Sequence, residues 1–160
     1  MADGALHVKT SRDLLAKLKH EVSQFTDNPK NGYAILNAVR DGYHLREWVW
    51  HEYVEGKCDT QKELAIKNKD GFNELINTMF TDFPIIKELC NGSKHMKLYK
   101  EPKITDSSFR GYGTQPYGKS SFGVGGFYVE MADGSSVDVN ELVEKLLVFW
   151  EKFFTDQGWQ

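Results

Sequence analysis

Asn140-Glu-Leu-Val-Glu-Lys-Leu-Leu-Val-Phe-Trp-Glu-Lys-Phe-Phe154 is the stretch that decides the fold. Leu142, Val143, Leu146, Leu147, Trp150, Phe153 and Phe154 recur at helical spacing and form a broad apolar face. A face this wide does not suit an isolated surface helix. It has to dock, either on a bundle or on another subunit. The spacing predicts a C-terminal helix over 140–156, capped by Asp138 or Asn140.

Immediately upstream, Phe127, Val129 and Met131 alternate in a strand pattern, and Asp133-Gly134 is a hairpin turn signal. Residues 124–139 therefore read as a β-hairpin. Before it, 99–123 is rich in glycine and proline, with Phe109, Tyr112 and Tyr117 interleaved. It reads as a long Gly-rich loop, part of which pairs as an edge strand.

Four amphipathic segments occupy 10–98. The first helix begins at Ser11, with Ser11 as cap, and aligns Leu14, Leu15, Leu18, Val22 and Phe25. Turn chemistry at Asp27–Gly32 stops it. The second runs from Tyr33 to Tyr53 and carries Ala34, Ala38, Leu45, Trp48 and Val49. Gly42 interrupts it at a cost of about 1 kcal/mol relative to alanine, which points to a close helix contact or a kink. The third opens at Thr60, where Thr60 and Glu63 fit a capping box, and breaks near Asn68–Gly71. The fourth starts at Asp82-Phe83-Pro84 and carries Ile85, Ile86, Leu89 and Met96 inward. The expected architecture is mainly α: one domain over 1–160, a four-helix up-and-down bundle with a C-terminal hairpin and docking helix.

Composition narrows the function. Aromatic residues make up 13%, too many for a disordered chain. The net charge of -3 excludes a globally basic nucleic-acid binder and leaves room for a local basic patch. No apolar run reaches the ~20 residues of a membrane span, so no membrane partner is expected. No secretory signal is read at Met1–His7. Cys58 and Cys90 are far apart without CxxC spacing, so a reduced, cytoplasmic protein is expected.

No zinc spacing, phosphate-binding loop, dinucleotide fingerprint or hydrolase elbow occurs, and no cofactor or metal is expected. Gly123-Val124-Gly125-Gly126 precedes a strand, so a tight backbone approach is the reading there. His44 and His51 lie two turns apart on one helix, about 10 Å, too far to share an ion directly. Beside Trp48 they suit a ligand-binding face or plain packing. Arg110 and Tyr112, interleaved with Phe109, suit either base stacking with phosphate contacts or a loop tucked onto the bundle. Metal-independent RNA cleavage needs a proton-transfer group and a cation. Asn91 and His95 share a helix face with Lys94 between them, and Arg46 precedes His51 by five. In a catalytic reading His95 is the acid or base, Asn91 positions the substrate, and Lys94 or Arg46 stabilises charge. The competing reading is a noncatalytic binding module that dimerises through its aromatic helix face.

Cys90-Asn-Gly-Ser-Lys-His95 resembles the Arg-Asn-x-x-x-His motif of HEPN-superfamily helical bundles, with cysteine in the arginine position. Arg46-Glu-Trp-Val-Trp-His51 is similar to the looser Arg-x-x-x-x-His form. Tyr43–Trp48 and the hairpin leading to Phe149-Trp150 also look like a group of uncharacterised bacterial proteins. The resemblance implies a four-helix, often homodimeric bundle from toxin–antitoxin or phage-defence settings. Active members are RNases whose Arg and His act across a dimer. It implies Asn91 and His95 as site residues and RNA or a nucleotide as partner. Cys90 leaves the arginine role unfilled.

Overall fold

The computed structural model describes residues 7–94, 103–110 and 125–159. Among these it is mainly helical, with six α-helices and one small antiparallel sheet. The order is α1 (Ser11–Asp27), α2 (Gly32–Val49), α3 (Cys58–Glu63), α4 (Lys69–Met79), α5 (Phe83–Lys94), β1 (Ile104–Arg110), β2 (Gly126–Met131), β3 (Ser136–Asp138) and α6 (Val139–Asp156). A π-helical turn, Trp50–Val54, extends α2.

Helix α6 is the docking element. All seven residues of its apolar face are buried against the chain's own core. The face expected to meet either a bundle or another subunit packs into the chain's own core. Asp138 rather than Asn140 caps the helix, its carboxylate accepting the Glu141 N–H at 3.1 Å. Asn140 Oδ1 instead accepts the Phe127 N–H at 2.8 Å, which ties the sheet to the helix.

The meeting of α2 and α6 depends on Gly42. A Cβ there would lie 2.3 Å from Leu146 Cδ2. Trp150 Nε1 donates to the Gly42 carbonyl at 3.0 Å, within the buried core. The helix-propensity cost of this glycine is offset by close backbone approach. On the other side of α2, Lys17 and Asp41 pair at 2.6 Å, and Glu21 joins Lys17 at 3.2 Å. Burial raises the Asp41 carboxyl, and Lys17 counters only part of that rise. Burial opposes the Lys17 charge, yet Asp41 and Glu21 outweigh it and hold Lys17 above its usual value.

Two helix starts differ from expectation. Thr10, not Ser11, caps α1: Thr10 has extended backbone and forms a capping box with Asp13. That box satisfies two backbone donors at once, and Ser11 becomes the first helical residue. The Ser11 N–H donates to Glu52 Oε2 at 2.6 Å, so the π-helical turn also helps hold the start of α1. Helix α3 begins at Cys58 with Lys57 in the cap position, so Thr60 and Glu63 form no capping box. Gly56, at φ +72, reverses the chain after the π turn, and helical bonding starts at once with Gln61 N–H to the Lys57 carbonyl. The helix breaks between Glu63 and Lys69, slightly before the expected Asn68–Gly71, with Asn68 capping α4 through the Gly71 N–H.

The hairpin forms as β2 and β3 around Asp133-Gly134, with Gly134 at φ +84. Strand β1 lies within the segment read as a Gly-rich loop and pairs antiparallel with β2, giving the order β1-β2-β3. Of the inward residues expected on the fourth helix, Ile86 is buried, Ile85 and Leu89 are half-buried, and Met96 lies outside the described residues.

Candidate functional site

The expected site residues come mostly from α2 and α5. Arg46 projects from α2 onto the start of α5. Its guanidinium carbon is 4.8 Å from the Phe83 ring centre and 5.2 Å from that of Tyr43. It is half-buried, and burial lowers its pKa against the opposing influence of Tyr43. A guanidinium stays protonated under such a shift. Phe83 is fully buried and lies edge-on to Trp150. Arg46 is therefore part of the packing where α2, α5 and α6 meet.

Asn91 sits at the other end of α5, half-buried. Eight positions separate it from Phe83, about 12 Å along the helix axis. Arg46 and Asn91 are not brought together. Cys90, which stands where the HEPN-like pattern has arginine, is fully buried in the core. Helical periodicity gives the reason. Phe83, Ile86 and Cys90 recur at i, i+3 and i+7, on the face that α5 buries. Lys94 is the last residue of α5, and His95 and Tyr112 lie outside the described residues.

A different cation meets this end of α5. Arg40 Nε donates to Ser93 Oγ at 3.0 Å and Nη2 donates to the Ser93 carbonyl at 3.1 Å. Ser93 Oγ in turn donates to the Cys90 carbonyl at 2.7 Å. A guanidinium at carbonyls of the last helical turn also complements the negative end of the helix. Arg40, which sequence reasoning did not single out, thus reaches the helical turn that carries Asn91. Its signal was present: Arg40, His44, Glu47 and His51 recur at spacings of four, three and four, one stripe of α2.

Along that stripe the histidines stay apart. His44 packs edge-on to Tyr43, with ring centres 5.4 Å apart. His51 lies between two carboxylates: Nδ1 is 2.6 Å from Glu55 Oε2 and Nε2 is 3.6 Å from Glu47 Oε1. Lys69 reaches Glu47 at 2.7 Å. Lys69, with help from His51, holds Glu47 below its usual range, and His51 does the same for Glu55. Trp48 is half-buried against the core. Among the described residues no group of three or more His, Cys, Asp or Glu side chains converges to hold a metal ion.

On the sheet, Phe109 packs edge-on to Phe127 with Lys30 5.7 Å from its ring centre. Arg110 lies 4.7 Å from the Tyr128 ring centre and pairs with Glu130. Phe109 and Arg110 thus lie in strand β1 and make these contacts with the neighbouring strand β2. A cleft of about 270 Å³ opens between the end of α1 and the start of α6, lined by Thr26, Pro29, Gly126, Asn140 and Glu144 among others. A groove of about 440 Å³ runs between α1 and α6 beside Arg12, Leu15, Lys19 and Phe154. None of the expected site residues among those described lines either. Among the described residues no helix is long and apolar enough to cross a membrane.

No protein family, curated protein or solved structure matches the chain.

Proposed function

We propose that the chain is a noncatalytic binding or interaction module built on a HEPN-like frame, with α1, α2, α5 and α6 as the four-helix bundle. One observation carries this reading. The arginine position of the motif is occupied by Cys90, which is fully buried and has no access to a substrate. Of the two cations nominated to replace it, Lys94 and Arg46, Arg46 is engaged by Tyr43 and Phe83 at the opposite end of α5 from Asn91. Stabilising a developing phosphorane requires a cation within contact distance of the reacting phosphate. A partner for such a module would be a protein, a nucleotide or RNA held without cleavage, in a defence or toxin–antitoxin setting.

The test is incubation of a mixed RNA pool with wild type and His95→Ala in chelator, with circular dichroism on both. No cleavage by either folded protein is the expected outcome. Cleavage by the wild type that is lost in a folded His95→Ala protein refutes the module reading.

A second reading has its own support. Arg40 brings a guanidinium to Ser93, in the same helical turn as Asn91. A metal-independent ribonuclease would then use Arg40 as the cation and His95 as acid or base. In that case Arg40→Gln would abolish cleavage as fully as His95→Ala.

A further inference from the structure

Strand β1 is the end strand of its sheet, and among the described residues it has a neighbouring strand on one side only. Thr105, Asp106, Ser107 and Ser108 are all exposed. A strand edge of this length is a template for a further strand. The usual blunting devices are partly present: the register shifts between Ile104 and Asp106, and Asp106 Oδ1 accepts the Ser107 N–H at 2.8 Å. That second contact is an interaction of the strand with itself, at a donor an added strand would take.

The charges of the strand say which strand would fit. Asp106 sits directly opposite Glu130 in the ladder, a like-charge pair that is unfavourable in an antiparallel sheet. Arg110 compensates Glu130 through an ion pair. Asp106 and Arg110 are placed symmetrically about Ser108, two residues to each side. Asp106, Ser108 and Arg110 share one face of the strand because side chains alternate. Running a second β1 antiparallel to the first, with the two-fold axis at Ser108, sets Asp106 opposite the partner's Arg110, which it then shares with the partner's Glu130, and the same contact recurs by symmetry. Ser107 then faces the partner's Phe109, and their backbone groups can exchange hydrogen bonds once the Ser107 N–H leaves Asp106 Oδ1. A two-fold interface must be self-complementary in this way.

We propose that the exposed edge of β1 is a homodimerisation surface, pairing antiparallel with the same strand of a second copy and centred on Ser108. The partner is a second copy because the Asp106–Arg110 arrangement is complementary to itself. The pairing differs from the aromatic-face dimer, since that face is buried within the chain. A seven-residue edge is a small interface, so association is weak and dependent on concentration. The proposal rests on reading the chain as an interaction module. RNA cleavage in the assay above would remove that reading without altering a mass measurement.

The experiment is sedimentation equilibrium of the full chain over a wide concentration range, with circular dichroism on each variant. The wild type should shift from monomer to dimer mass as concentration rises. Asp106→Arg places like charges opposite each other twice and should weaken association about tenfold or more. The exchange Asp106→Arg with Arg110→Asp should restore it, and the arginine introduced by that exchange also faces Glu130 favourably. Ser107→Pro removes the edge N–H and should abolish dimerisation with the helical signal retained, even if a charge variant misfolds. A wild type that remains monomeric throughout overturns the proposal. So does a dimer that survives both Asp106→Arg and Ser107→Pro, because it then forms through another surface.

Discussion

Replacing Gly42 by alanine tests the central contact of the fold. An alanine Cβ would lie 2.3 Å from Leu146 Cδ2, 3.0 Å from Leu146 Cγ and 3.7 Å from Leu18 Cδ2. The first distance is far inside van der Waals contact. Leu146 is fully buried, so its methyl cannot turn away without displacing neighbours. Overpacking of this kind costs about 1–3 kcal/mol. Alanine returns about 1 kcal/mol of helix propensity. If α6 backs away to relieve the contact, the hydrogen bond from Trp150 Nε1 to the Gly42 carbonyl lengthens, at a cost of about 1 kcal/mol. The net expectation is a loss of about 1–2 kcal/mol, a fall in Tm of about 2–8 °C for a chain of this size. Urea denaturation followed by helical ellipticity measures it. A double-mutant cycle with Leu146→Ala isolates the contact, because shortening Leu146 removes the clash: the pair should cost less than the sum of the single changes. A Gly42→Ala protein as stable as wild type, or additive costs in the cycle, would refute the close-contact reasoning.

Asp13, Glu47, Glu55 and Asp133 all have lowered pKa values, caused first by hydrogen bonds from the Lys9 backbone, Lys69, His51 and the Ser135 hydroxyl respectively. A lowered folded-state pKa contributes stability above the unfolded value and loses it as pH falls through the folded one. Unfolding free energy should therefore decline below about pH 5, and Glu47→Gln should flatten part of that decline. Asp41 runs the other way: its raised pKa makes the ionised folded form unfavourable, so Asp41→Asn should steepen the net acid sensitivity. Arg40→Gln should release the end of α5, lowering stability by about 1–2 kcal/mol and speeding amide exchange at residues 90–93 more than elsewhere. Arg46→Ala should lower stability by about 1–2 kcal/mol through lost ring contacts and leave any RNA-directed activity intact, readable by comparing melting curves with cleavage assays.

Helix α6 was legible because its information is local: seven apolar residues at helical spacing describe a buried face whatever lies opposite. The stop after α1, the cap of α4 at Asn68 and the Asp133-Gly134 turn were legible for the same reason. Strand β1 was nearly silent, because Thr105–Ser108 carry little apolar signal and the strand exists through its ladder with β2. Caps misled by one residue at α1 and three at α3; Ser11 and Thr10 have similar side chains, and only backbone geometry chooses between them. Sequence spacing raised Arg46 as a cation, yet spacing records position along one helix and says nothing of rings arriving from another. The sequence by itself determined which segments are helical, which faces are apolar and that Gly42 is special. Tertiary structure decided that α6 docks within the chain, that Cys90 is sealed in the core, that Arg46 is engaged by Phe83 and that Arg40 meets Ser93. These are contacts between residues tens of positions apart, and they are selected by packing and desolvation across helices rather than by periodicity within one.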